Sequence, residues 1–192
     1  RRPGGTGSGP GCPRRPVRIP MPMPRRILIV SDMVVPELSR RPDVHRLGAI
    51  DLVLSCGDLP PEYLTFLAHA LAAPLCYVRG NHDIRYDDKP PEGCQEIHGR
   101  IHQAGTLRIL GLGGSRWYNG GPNQYTEKEM RRLIRRLRPR LWWKKGVDIV
   151  LTHAPPRYVH DAEDLCHRGF RSFASAGAAT RSSTREPFIR TV

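Results

Sequence analysis

Four short apolar runs, each leading into a residue that can bind a metal ion, constrain the fold of this chain more than any other feature. The runs are RILIV, IDLVLSC, PLCYVRG and VDIVLTH, at residues 26–30, 50–56, 74–80 and 147–153. Runs of this length, bounded by Gly, Pro and polar residues, are typical of buried β-strands. Amphipathic stretches separate them, and this alternation predicts an α/β domain.

The stretches between these strands are predicted to form helices and a hairpin. Residues 60–72 (PPEYLTFLAHALA) begin with prolines and carry one apolar helical face, which consists of Leu64, Leu67, Ala68 and Leu71. Residues 99–115 (GRIHQAGTLRILGLGGS) alternate around a glycine and therefore indicate a β-hairpin.

A second helix is predicted to begin at Thr126, which forms a capping box with Glu129. Its apolar stripe consists of Met130, Leu133, Ile134 and Leu137. Pro139 is expected to end this helix, because proline has no backbone N–H to donate.

The basic segment 131–145 is interpreted as a solvated helix face, with a nucleic-acid surface as the alternative. Trp142 and Trp143 are expected in the core, with base stacking as their alternative role.

The ends of the chain differ in composition from its middle. Residues 1–24 are rich in Gly, Pro and Arg and are predicted to be a disordered leader. Residues 25–170 form the predicted domain, and a length of 192 residues suits one domain. The tail at 171–192 is also predicted to be disordered, because after Phe173 it has no periodic apolar face.

The charge and the cysteines limit the class of protein. A formal net charge of +13 favours anionic partners such as nucleic acid or phosphorylated substrates. Five cysteines without a C-x-x-C pair indicate a reducing, cytoplasmic location. No segment has the roughly 18 apolar residues that a membrane span needs, so a membrane partner is not expected.

Each predicted strand leads into potential metal ligands. These are Asp32 after the first strand, Asp58 after the second, Asn81, His82 and Asp83 after the third, and His153 at the end of the fourth. Because the carboxyl ends of strands in an α/β sheet face a common crevice, these side chains are expected to converge. Oxygen donors combined with imidazole suit Mn²⁺, Fe or Zn²⁺. The alternative is a set of helix caps and turn formers, and four recurrences at strand ends disfavour it.

The order D, GD, GNHD and TH, with GLGGS at 111–115, resembles the calcineurin-like metallophosphoesterase family over about residues 26–170. The resemblance implies two β-sheets packed between helices, an αββα sandwich. It also implies two divalent metal ions and a phosphoester substrate, which a bridging water or hydroxide attacks at phosphorus. A pair of cations suits this reaction because it lowers the pKa of a bound water and neutralises charge on the phosphoryl oxygens.

The same resemblance implies a role for each site residue. Asp58 would bridge the two ions, Asp32 would bind the first, and Asn81 and His153 would bind the second. His82, oriented by Asp83, would stabilise the transition state and protonate the leaving oxygen. The positions of Arg79 and Arg116 beside strand ends predict, more weakly, that they bind substrate phosphate.

The sequence also departs from the family pattern. The family motif D-x-H reads Asp32-Met33-Val34 here, and the family's final G-H-x-H has no counterpart after His153. We therefore expect a first metal site short of ligands, and a truncation or change of reading frame after Phe173. His160 and His167 are expected to be solvated loop residues rather than replacement ligands. The alternative function is a catalytically impaired or truncated family member that binds an anion or nucleic acid without turnover. The sequence predicts neither the substrate, the metal identity nor the oligomeric state.

Overall fold

A computed structural model describes residues 24, 26–40, 47–177 and 189–190. The strands are β1 (Ile27–Val30), β2 (Leu52–Ser55), β3 (Leu75–Tyr77), β4 (Cys94–Glu96), β5 (Ile101–Ala104), β6 (Leu107–Leu112), β7 (Ser115–Arg116), β8 (Gln124–Tyr125), β9 (Ile149–Thr152) and β10 (Ile189–Arg190). The helices are α1 (Pro36–Arg40), α2 (Pro61–Leu71), α3 (Glu127–Trp143) and α4 (Ser172–Gly177). None of these helices combines the length and the hydrophobicity needed to cross a bilayer. The predicted leader lies outside the described residues, apart from Pro24.

Two four-stranded sheets form the centre of the fold. The first has the order β1-β2-β3-β4 and is parallel throughout. The second has the order β10-β9-β6-β5, in which only β5 and β6 pair in antiparallel fashion. The hairpin predicted around Gly105 is this β5–β6 pair, and the four predicted strands correspond to β1, β2, β3 and β9. These sequence predictions are confirmed.

The two sheets pack face to face, and helices cover their outer faces. Alternate residues of β2 and β3 pack on α2 through a cluster that includes Val53, Leu64, Leu67, Leu75 and Tyr77. The intervening residues face the second sheet in a cluster that includes Leu52, Leu54, Cys76, Ile109 and Leu151. The opposite face of the second sheet packs on α3 and α4 through Leu110, Val150, Met130, Ile134 and Phe173. The layers therefore follow the order helix, sheet, sheet, helix, as the predicted αββα sandwich requires.

Helix α3 begins as predicted but ends later than predicted. The capping box is present, because Thr126 Oγ1 accepts from the Glu129 N–H and the Glu129 carboxylate accepts from the Thr126 N–H. Pro139 does not end the helix, which continues to Trp143. The ring of Pro139 lies on the exposed face, where water can solvate the carbonyl that loses its partner. Leu141 then buries another turn of the apolar stripe, so packing outweighs the local preference.

The segment after Phe173 also differs from the prediction. No helix was expected there, yet α4 spans Ser172–Gly177 and buries Phe173 and Ala176 beside α3. Two apolar residues three positions apart are too few to produce a recognisable periodic pattern. Strand β10 pairs in parallel with β9. The remainder of the predicted tail, 178–188 and 191–192, lies outside the described residues.

Candidate metal centre

The turns that follow β1, β2 and β9 bring three predicted ligands together. A carboxylate oxygen of Asp32, a carboxylate oxygen of Asp58 and a ring nitrogen of His153 all lie within 4.8 Å of one another. Asp32 and Asp58 come from the first sheet and His153 comes from the second, so the site lies where the carboxyl ends of both sheets meet. The predicted convergence at strand ends therefore occurs for these residues.

The His153 ring is held in an orientation that suits a ligand. Its Nδ1 lies 3.0 Å from the carbonyl oxygen of Cys56, which can only accept, so Nδ1 carries a proton. Nε2 then faces Asn81 Oδ1 at 3.2 Å and Asp58 Oδ2 at 3.5 Å. The Asn81 amide is oriented by donation from Nδ2 to the Tyr118 hydroxyl, 3.2 Å away. Three acceptor atoms thus converge, an arrangement that a bound metal cation can stabilise.

Asp32 and Asp58 both adopt a left-handed backbone conformation, with φ values of 57° and 55°. This conformation costs about 1–2 kcal/mol for most residues with a side chain, and Asp is among the few that adopt it more readily. Asp58 Oδ1 accepts from the backbone N–H of His82 at 2.9 Å, which leaves Oδ2 facing His153. Asp32 Oδ2 accepts from the Ser31 hydroxyl. These turns bring both carboxylates close to the His153 ring.

Two glycines make room for these turns. Gly57 has φ of +104°, and a Cβ at this position would lie 2.3 Å from the Gly80 backbone nitrogen. A Cβ at Gly80 would lie 2.0 Å from Asp58 Oδ1. Only glycine fits at either position, at Gly57 for conformation and space, and at Gly80 for space alone.

Asp83 differs from its predicted role. Its side chain is 3% exposed, and its carboxylate accepts from the backbone N–H groups of Asp58, Leu59 and Gly80, at 2.8, 3.1 and 2.7 Å. All three partners are backbone groups of the turns after β2 and β3, so Asp83 organises the backbone of the site. Burial raises the pKa of the Asp83 carboxyl above its usual value, although the three hydrogen bonds act in the opposite direction.

The two arginines predicted to bind substrate phosphate lie elsewhere. Arg79 is paired with Asp87 and, at 3.2 Å, with Glu96, so its charge is already neutralised. Arg116 lines a separate pocket of about 250 Å³, together with Glu127, Arg157, Arg168 and Arg171. Both arginines do lie beside strand ends, as the sequence indicated. Their positions in the sequence did not show whether their side chains point towards the metal-ligand cluster.

A cavity of about 690 Å³ opens over the metal-ligand cluster. Its lining residues are Asp32, Asp58, Asn81, His82, Ser115, Tyr118, His153, Ala154, Pro155, His160, Cys166 and His167. The sequence reasoning missed the roles of Ser115, Tyr118 and Cys166, and it assigned His160 and His167 to solvent. Both histidines are exposed, but they are exposed into this cavity. The segment D-L-C-H at 164–167 contains three types of metal ligand within four positions. This pattern could have indicated that the loop contributes to the cavity.

Comparison with known families agrees with this geometry. A family model described as calcineurin-like phosphoesterase matches residues 25–177. This span includes both central sheets apart from β10, and every residue of the metal-ligand cluster. The comparison with curated proteins gave no match. Members of the family are phosphoesterase-type hydrolases and generally bind divalent metals. Because the match covers well over half of its length, the chain belongs to the calcineurin-like phosphoesterase family.

Proposed function

We propose that this protein is a metal-dependent phosphoesterase with two divalent ions, Mn²⁺, Fe or Zn²⁺, at the carboxyl ends of its strands. The observation that carries this proposal is the convergence of Asp32, Asp58 and His153 donor atoms within 4.8 Å, under a cavity of about 690 Å³. When bound, the ions would supply an activated water as nucleophile and neutralise charge on the phosphoryl oxygens.

The spacing of the donor atoms fits a bound divalent ion. Ligand atoms around one ion lie at most about 4.4 Å apart, which is twice a bond length of about 2.2 Å. A cluster within 4.8 Å therefore needs only small side-chain movements to close on a cation. Asp58 Oδ2 lies 3.5 Å from His153 Nε2, and Asp58 belongs to the same cluster as Asp32, which supports Asp58 as the shared ligand. Asn81 and His153 would bind the second ion together with Asp58.

The first ion is expected to bind more weakly than the second. Within the described ranges, its proposed protein ligands are Asp32 and Asp58 alone. Val34, at the position of the family histidine, is 40% exposed and offers no donor atom. Water would have to supply the remaining donor atoms if this ion binds.

His82 is proposed to act directly on the substrate. Its imidazole is exposed and lines the cavity, while its backbone N–H is anchored on Asp58 Oδ1 at 2.9 Å. His82 and the proposed shared ligand Asp58 line the same cavity, and this supports a role for the ring near the ions. From there it can stabilise negative charge on the phosphoryl group and donate a proton to the leaving oxygen.

The test is hydrolysis of an activated phosphodiester with and without Mn²⁺, together with calorimetric Mn²⁺ binding. Asp58→Asn should lower metal-dependent turnover by more than about 100-fold, since even outer partners of metal ligands contribute about 10- to 100-fold. Asp88→Asn is the matched control, because Asp88 is exposed and lies outside the cavity. The proposal would be overturned if Asp58→Asn weakened the binding of none of the ions Mn²⁺, Fe²⁺ and Zn²⁺. Binding without turnover would favour the second candidate below.

The second candidate is a family member that binds nucleic acid without turnover, and an unexpected surface favours it. Helix α3 exposes Arg131, Arg132, Arg135, Arg136, Arg138 and Arg140. Trp142 and Trp143, expected in the core, are 85% and 79% exposed. Arginines beside exposed indole rings suit phosphate contact and base stacking. Anisotropy with a labelled single-stranded oligonucleotide should show affinity that falls steeply with salt, ignores chelators and weakens in Trp142→Ala. If the affinity were unaffected by salt or by Trp142→Ala, nucleic-acid binding by this surface would be excluded.

A further inference from the structure

The loop between β9 and α4 carries a second group of ligand-type side chains. Asp164, Cys166 and His167 each place one donor atom within 4.8 Å of the other two. All three are exposed, and none of them belongs to the proposed dinuclear centre. The group combines a carboxylate, a thiol and an imidazole, whereas the dinuclear centre offers oxygen and imidazole donors only.

Two of the three distances within this group match those around a tetrahedral zinc ion. Cys166 Sγ lies 3.5 Å from His167 Nδ1 and 3.6 Å from Asp164 Oδ2. Zn–S and Zn–N bonds of about 2.3 and 2.0 Å at a tetrahedral angle place sulfur and nitrogen about 3.5 Å apart. The remaining pair, His167 Nδ1 and Asp164 Oδ2, is a hydrogen bond of 2.6 Å. If a zinc ion replaced the proton of this hydrogen bond, the distance between Nδ1 and Oδ2 would have to increase to about 3.3 Å.

The loop holds these side chains in place before any ion binds. Asp164 Oδ1 accepts from the His167 backbone N–H at 3.1 Å, so Oδ2 is left for the cluster. Upstream, Arg157 donates to Asp161 at 2.6 Å and to both oxygens of Glu163, at 2.8 and 2.9 Å. The Arg157 side chain is only 9% exposed, which makes this a firm anchor for the loop.

We propose that Asp164, Cys166 and His167 form a three-ligand zinc site on the rim of the main cavity. A thiolate with an imidazole and a carboxylate is a donor set that selects zinc over manganese. Three protein ligands leave the fourth position to water, as in zinc sites that act on substrates. Cys166 and His167 line the same cavity as Asp58 and His153, so the bound ion would face the same substrate. The proposal does not depend on turnover at the dinuclear centre.

The test uses Co²⁺ as a spectroscopic substitute for zinc in the full chain. Cobalt bound by a thiolate gives a charge-transfer absorption that oxygen and nitrogen ligands do not give. We expect this absorption in the wild type and in Asp58→Asn, its loss in Cys166→Ser, and its displacement by added Zn²⁺. Cys94→Ser is the matched control, because Cys94 is the other partly accessible thiol of the described chain and lies outside the cluster.

A second measurement separates zinc binding from any folding defect. Zinc competition against a chromophoric chelator, in an Asp58→Asn background that impairs the dinuclear centre, should show at least about a tenfold weaker affinity on adding Asp164→Asn or His167→Gln, since each removes one ligand. Circular dichroism of the same samples should be unchanged, because all three side chains are exposed. A wild-type protein without thiolate-to-cobalt absorption, or absorption that survives Cys166→Ser, would overturn the proposal.

Discussion

The buried carboxylate of Asp83 accepts a hydrogen bond from the backbone N–H of Asp58 over 2.8 Å. The same carboxylate accepts from Gly80 at 2.7 Å, so one side chain joins the turn after β2 to the turn after β3. Asp58 and Asn81 lie on these two turns. The positions of the proposed ligands therefore depend on a residue that is not among those lining the cavity.

Replacement of Asp83 by Asn should disturb both stability and metal binding. Asp83 Oδ2 accepts from two N–H groups and Oδ1 accepts from the Leu59 N–H. An asparagine at this position would direct its own NH₂ group at one of these N–H groups, and two donors cannot form a hydrogen bond. We expect a loss of about 1–3 kcal/mol in the free energy of unfolding, the cost of a buried unpaired polar group. Urea unfolding measures this loss, and calorimetry should show weaker Mn²⁺ binding. Asp88→Asn should change stability by less than about 0.5 kcal/mol. Wild-type values for Asp83→Asn would contradict the organising role.

Gly80→Ala should displace the proposed shared ligand. The added methyl group would lie 2.0 Å from Asp58 Oδ1 and 2.8 Å from the His153 ring. We expect a loss of Mn²⁺ affinity together with about 1–3 kcal/mol of stability, as for other overpacked sites. Gly93→Ala is the control, because Gly93 has a positive φ of +70° but no atom within 4 Å of the new Cβ. It should destabilise through backbone strain alone and leave metal affinity unchanged. Equal loss of affinity in both variants would refute the steric explanation.

His98 should make stability fall in mild acid. Its Nδ1 accepts from the Gly113 N–H at 2.9 Å, and its ring stacks on Tyr125 with centroids 5.3 Å apart. Burial lowers the pKa of folded His98 below 6.5, so the folded state binds fewer protons than the unfolded state. Its contribution to stability is therefore present above that value and is lost as the pH falls through the folded pKa.

His98→Asn tests this pH dependence, because an amide oxygen can accept from Gly113 without titrating. Urea unfolding at about pH 7.5 and about pH 5 spans the histidine range. The difference in unfolding free energy between the two conditions should be smaller in His98→Asn than in the wild type. His69→Asn, at an exposed position on α2, should keep the wild-type difference. An unchanged difference in His98→Asn would show that other groups cause the acid sensitivity.

The strands and the ligand cluster were predictable because both depend on short-range patterns. Apolar runs predicted β1, β2, β3 and β9, and the rule that strand ends share a crevice placed Asp32, Asp58 and His153 together. Asp83 was harder, since its three partners are backbone N–H groups up to 25 residues away. Sequence spacing does not encode which of several adjacent polar residues is turned inwards.

The cavity wall was not predictable for a related reason. Cys166 and His167 reach the cavity because a loop without regular structure folds back over the strand ends, anchored by Arg157 on Asp161 and Glu163. Each of these residues alone is typical of a solvated loop. Their convergence depends on ion pairs between side chains, which neither hydrophobic periodicity nor strand order specifies.

Pro139→Ala should stabilise the protein, because Pro139 lies inside α3 on its exposed face. Alanine restores an N–H for the carbonyl of Arg135 and is favoured over proline by about 3 kcal/mol in a helix interior. Loss of proline's restriction on the unfolded chain offsets about 0.4–1 kcal/mol of this gain. Urea unfolding should therefore show a net increase of roughly 2 kcal/mol. Arg138→Ala, an exposed neighbour that already has its N–H, should change stability by less than about 0.5 kcal/mol. A decrease in Pro139→Ala would mean that the last turn of α3 depends on the proline ring, and that burial of Leu141 alone does not hold it.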